Sequence, residues 1–209
     1  MMYELLLDTA NLEDLQEGLR DWPVCGVTSN PSILKKEGDI DVYQRLRAIG
    51  ELCGKERSLH VQVVSGSTEG ILEEARTILD RLGKDTYIKV PVSPAGLPAI
   101  KKLAAQGVNV TATAVYSTMQ GILAALAGAD YVAVYYNRME NGCTDPCAVI
   151  AELRDFLDGS GCPAKILAAS FKNVAQVTNA YRSGAHSATV GPELIRTALG
   201  MASIGAAVE

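Results

Sequence analysis

The chain has 209 residues, enough for one domain with a substantial core. Hydrophobic residues make up 48% and aromatic residues only 5%; the apolar content is mostly aliphatic, which suits parallel strands packed under covering helices. A formal net charge of −5 speaks against nucleic acid or an anionic membrane surface as a partner, while two or three local cations still suffice to hold a phosphate.

The cysteines (Cys25, Cys53, Cys143, Cys147 and Cys162) are odd in number and scattered. That is the usage of a reducing compartment, not of a disulfide scaffold. Cys143 and Cys147 are followed by no second pair at metal-site spacing. The opening MMYELLLDTA carries Glu4 and no basic segment, and no apolar stretch reaches the roughly 18 residues of a membrane span. A cytoplasmic protein without membrane contact is expected.

In chain order, short apolar runs occupy Glu4–Leu7, Val24–Val27, Leu59–Val64, Thr86–Val90, Val108–Ala114, Tyr131–Val134, Lys165–Ala169 and Ser187–Val190. Each has the length and β-branched or aliphatic content of a buried strand. Segments of helical period lie between them, among them Asn11–Leu19, Asp41–Cys53, Thr68–Leu82 and Pro94–Gln106. Ser67 is the expected N-cap of the third, and Gly107 the stop of the fourth. About eight strand–helix units predict a (β/α)₈ TIM barrel spanning residues 1–209 as a single domain. An open doubly wound sheet is the alternative, but no glycine-rich phosphate loop follows an early strand.

In a barrel, chemistry belongs at the carboxyl ends of the strands. Asp8 ends the first run; Thr28, Ser29 and Asn30 end the second; Gln62 lies in the third, Thr111 and Thr113 in the fifth. The sixth leads into YYNR and the seventh into Ser170 and Lys172. Singly, each has a plain explanation as a cap or turn residue. Together they form a ring of neutral hydrogen-bonding groups suited to a polyhydroxylated ligand.

Lys89 fits that explanation poorly, because TYIKVPV places it inside an apolar strand. A buried ammonium is costly and escapes by a lowered pKa, and a neutral amine is what attack on a ketone requires. The alternatives are a lysine that snorkels to the barrel mouth or pairs with Asp8. Arg138 is either a phosphate clamp or a surface arginine at a helix start. His60 and His186, the only histidines, are read as structural or surface residues and are too few for a histidine-built zinc site.

LLLDTAN, GVTSNPSIL, KVPVS, TATAVYS, YYNRM and LAASFKN resemble, in order and spacing, the motifs of the transaldolase family, closest to its small subfamily that includes fructose-6-phosphate aldolase. The resemblance runs from about Leu5 to Val190. It implies a (β/α)₈ barrel and Schiff-base chemistry with no cofactor. Lys89 matches the Schiff-base lysine, Asp8 the acid that handles donor hydroxyl protons, and Asn30 the asparagine holding the donor's hydroxymethyl end, beside Thr28. Thr113 matches the threonine that binds a catalytic water. Arg138 and Ser170 match residues binding the acceptor's phosphate, while Lys172 stands where many transaldolases have arginine. Gln62 and Tyr135 match the aldolase pattern, where transaldolases resemble one another in having glutamate and phenylalanine.

The resemblance thus implies an aldolase forming and cleaving fructose 6-phosphate from dihydroxyacetone and glyceraldehyde 3-phosphate. The alternatives are a transaldolase moving the dihydroxyacetone unit between sugar phosphates, as in the pentose phosphate pathway, and a non-catalytic sugar-phosphate-binding barrel. It also implies a homo-oligomer, a pentamer or decamer, with a C-terminal helix that is shortened here after Ala198, and an altered eighth loop at TVGPEL.

Overall fold

The computed structural model describes residues 3–201 and 203. Eight parallel strands close into a barrel in sequence order, β1 to β8, with β8 paired back to β1. The elements are β1 (Glu4–Asp8), α1 (Leu12–Asp21), β2 (Gly26–Thr28), α2 (Pro31–Lys36), α3 (Val42–Cys53), β3 (Ser58–Gln62), α4 (Thr68–Leu82), β4 (Tyr87–Pro91) and α5 (Gly96–Ala105). They continue with β5 (Val110–Val115), α6 (Thr118–Leu126), β6 (Tyr131–Tyr135), α7 (Tyr136–Asn141), α8 (Pro146–Ser160), β7 (Lys165–Ala169), α9 (Val174–Arg182), β8 (Ser187–Val190) and α10 (Pro192–Leu199). This is the (β/α)₈ barrel that the alternation predicts, and the open sheet is excluded by its closure. The expected shortened C-terminal helix lies mostly outside the described residues.

Period-two alternation builds two cores. Leu7, Val27, Ile88, Val90, Val132 and Ile166 turn outward into the layer shared with the helices. Leu6, Tyr131, Ala133 and Leu167 turn inward, joined by Tyr87. Seven of the described helices start on side-chain caps, at Asn11, Asn30, Asp41, Ser67, Ser117, Asp145 and Asn173, each stabilising by about 1 kcal/mol.

Several boundaries differ from expectation, and three of them have a clear local reason. The second strand is Gly26–Thr28, because the Val24 N–H turns back to the Trp22 carbonyl at 2.8 Å. The third stops at Gln62, because the Val64 N–H is taken by the Glu74 carboxylate at 2.7 Å. The helix expected from Pro94 begins at Gly96, whose N–H is held by the Ser93 hydroxyl at 2.9 Å.

Candidate active site

Lys89 stands at the middle of β4 between Ile88 and Val90, both fully buried against the helices, so its side chain enters the barrel. It is 3% exposed. Its Nζ donates to the Ser29 carbonyl at the end of β2, 3.1 Å away. The amine therefore neither snorkels nor forms an ion pair with Asp8; among the described residues no carboxylate lies within ion-pair reach of it. Burial pushes the Lys89 pKa down, and the Asp8 carboxylate opposes this through space.

Asp8 ends β1 directly beside Thr28 in the register of β1 and β2. The Thr28 hydroxyl donates to Asp8 Oδ1 at 2.6 Å. The Thr28 and Thr189 hydroxyls are also 2.6 Å apart. Thr28 has one proton, which it gives to Asp8, so Thr189 is the donor to Thr28. A buried chain thus runs from Thr189 through Thr28 to Asp8. Burial raises the Asp8 pKa, while Lys89 and the Thr28 hydrogen bond lower it.

Gln62 is the cross-strand neighbour of Lys89. Its Oε1 is buried without a hydrogen-bond partner among the described residues, as is the Ser29 hydroxyl. Thr113 donates to the Tyr135 phenol oxygen at 3.0 Å, which leaves the phenol proton to serve another acceptor. Burial raises the Tyr135 pKa. The register between β5 and β6 slips between Ala112 and Val115, and Ala114 takes φ 58°. Such an irregularity re-aims neighbouring side chains, here beside Thr113 at the end of β5.

The other candidates stand on the loops beyond. Asn30 caps α2, its Oδ1 accepting from Ile33 N at 3.0 Å, so the capping role is real and its amide hydrogens remain for a ligand. Arg138 is exposed on α7. Its guanidinium sits 5.0 Å from the Tyr135 ring centre and donates to the Tyr116 hydroxyl at 3.3 Å. No described carboxylate forms an ion pair with it. Ser170 follows β7 in a left-handed conformation, φ 64°, which costs a residue other than glycine about 1 kcal/mol or more. Its carbonyl accepts from Asn137 N at 3.0 Å, which ties the Ser170 turn to the segment bearing Arg138. Lys172 is exposed just beyond.

Below Lys89, His60 is fully buried, as a structural histidine should be. Its Nδ1 meets the Thr111 hydroxyl at 2.7 Å and its Nε2 the Ser58 hydroxyl at 3.0 Å. It stacks on Tyr87, with ring centres 4.5 Å apart, and meets the edge of Tyr131. His186 likewise has a structural bond, accepting from Ile166 N at 3.0 Å. Thr189 was not among the sequence candidates; its place on the inward register of β8 was the available signal.

The sequence profile of the family described as Transaldolase/Fructose-6-phosphate aldolase matches residues 5–206. The chain is also 50% identical, over 206 residues, to a probable fructose-6-phosphate aldolase of Streptococcus pneumoniae (strain ATCC 700669 / Spain 23F-1), an alignment covering 99% of this chain and 93% of the relative. The chain therefore belongs to the transaldolase/fructose-6-phosphate aldolase family and is an aldolase/transaldolase-like enzyme.

Proposed function

We propose that the protein is a Schiff-base aldolase that forms and cleaves fructose 6-phosphate, with Lys89 as the nucleophile. The supporting observation is the amine itself: 3% exposed, bonded to a carbonyl oxygen and not to a carboxylate, with a lowered pKa. Desolvation leaves a larger neutral fraction, and the neutral amine has the lone pair that attack requires.

In the cleavage direction, Lys89 Nζ adds to the C2 ketone carbon, and loss of water gives an iminium. The C4 hydroxyl loses its proton to Asp8 as the C3–C4 bond breaks. The bonding pair flows into the iminium to form an enamine, and glyceraldehyde 3-phosphate departs. Protonation of C3 regenerates an iminium, and water frees dihydroxyacetone and the amine. The short hydrogen bond from Thr28 suits Asp8 to change protonation state, since its hydroxyl can donate to the carboxylate or accept from the acid. Gln62, Thr113 and Tyr135 hold the water that moves protons at C2 and C3. Asn30 and Thr28 orient the three-carbon donor, and Arg138, Ser170 and Lys172 hold the phosphate. Arg138 has no carboxylate partner among the described residues, which favours that anion-binding role.

Borohydride added with dihydroxyacetone is expected to fix the three-carbon unit on Lys89, read by peptide mass. An adduct on another lysine, or none, ends the proposal. Gln62 and Tyr135 favour release of free dihydroxyacetone over transfer, because an amide does not ionise and so cannot form the acid–base pair with water that a glutamate forms. Release measured against transfer to erythrose 4-phosphate separates aldolase from transaldolase. The exposed Met119 and Leu126 on one side of α6, 61% and 67% accessible, support a homo-oligomer.

A further inference from the structure

Gln176, in the first turn of α9, is 6% exposed and has no part in the roles above. Its side chain is fully engaged. Oε1 accepts from Lys172 N at 2.7 Å; Nε2 donates to Asn137 Oδ1 at 3.1 Å and to the Glu140 carboxylate. An amide has only two N–H hydrogens, so both are spent. The three bonds meet two walls of one site: the loop after β7, which carries Ser170 and Lys172, and α7, which carries Arg138. The bond from Asn137 N to the Ser170 carbonyl closes the ring. The amide at the centre is buried and fully bonded, and its part-buried bonds restrain the two walls to one geometry.

The amide also occupies Glu140. That carboxylate is exposed and stands two residues from Arg138 on the same short helix. We propose that Gln176 is the positioning residue of the phosphate site: it fixes the spacing of Arg138 against Ser170 and Lys172. The proposal rests on the phosphate-binding reading of Arg138 and Ser170.

The test measures Gln176→Leu, Gln176→Glu and the double variant Gln176→Glu/Glu140→Gln in the full chain. Aldol addition to dihydroxyacetone is followed with glyceraldehyde 3-phosphate and with unphosphorylated glyceraldehyde, and Arg138→Ala serves as control. For both single variants, KM for the phosphorylated aldehyde should rise about tenfold or more, with kcat and the KM for glyceraldehyde held within about twofold. The double variant exchanges donor and acceptor, so it should recover most of the loss; it also serves if Gln176→Leu does not fold. Equal rises for both aldehydes, a loss confined to kcat, or failure of the exchange to rescue overturns the proposal. If Arg138→Ala raises KM for the phosphorylated aldehyde and the Gln176 variants do not, the proposal falls and the phosphate reading stands. If neither changes it, both fall.

Discussion

Replacing His60 by glutamine tests the electrostatics of the floor beneath Lys89. Burial, reinforced by the nearby Lys89 charge, lowers the His60 pKa from 6.5 to about 3. The folded protein thus holds this imidazole neutral where the unfolded chain protonates it. Between those values the unfolded state binds more protons, so stability contributed by His60 is present above pH 6.5 and is lost as pH falls toward 3. At about 1.4 kcal/mol per pH unit, the loss is roughly 2 kcal/mol at pH 5 and roughly 3 kcal/mol at pH 4. Glutamine does not titrate and lacks the stacked ring. His60→Gln should therefore be less stable at pH 7 by about 1–3 kcal/mol, from altered hydrogen bonds to Thr111 and Ser58 and lost packing. Urea unfolding of both proteins at pH 7 and pH 4 isolates this group, since every other titration is shared. The gap should narrow and then reverse between the two conditions. A gap that stays constant would refute the reasoning.

Lys89→Met keeps the length of the side chain and removes a buried amine, so folding should strengthen by about 1–3 kcal/mol while aldol activity drops to background; thermal melts and product assays check the pair, and an active variant would contradict the chemistry. Thr189→Val removes the hydroxyl that donates to Thr28 and should cost about 1–2 kcal/mol, with a change in the acid limb of the rate profile that Thr189→Ser restores. Unaltered profiles in both would remove Thr189 from the Asp8 chain. Gly96→Ala would set its Cβ 1.9 Å from the Pro91 carbonyl oxygen, at the end of the strand bearing Lys89. The backbone must shift, and about 2–4 kcal/mol of stability should go with it; an unchanged melting temperature counts against the packing described.

The barrel was legible because eight aliphatic runs alternate with helical segments, and Lys89 stood out because its neighbours Ile88 and Val90 are apolar. Its partner was not legible. Ser29 offers a backbone carbonyl, and a sequence does not reveal which carbonyl faces a lysine two strands away. Asn30 looked like either a cap or a ligand group, and its two amide ends allow both. The irregularity at Ala114 leaves no mark in the sequence, since alanine has no preference for positive φ.

Gln176 was hidden for a different reason. Asn173 and Gln176 have the spacing of a capping box, in which the glutamine reaches back to the N–H of the cap. Here it reaches one residue further, to Lys172 N, and Gln120 does the same from the Ser117 cap to Tyr116 N at 2.8 Å. The motif was present in the letters; its attachment to Asn137 and Glu140 was not.

The aromatic floor of His60, Tyr87 and Tyr131 has a kinetic consequence. With the lower barrel filled, molecules reach Lys89 through the mouth alone. In the proposed cycle the cleaved aldehyde must leave by the same doorway that later admits its replacement, while the three-carbon fragment stays tethered below. Traffic is then single-file: first in as ketose, first out as aldehyde. A competing phosphorylated aldehyde should therefore hinder ketose entry as well as recapture the enamine, since both use the one mouth.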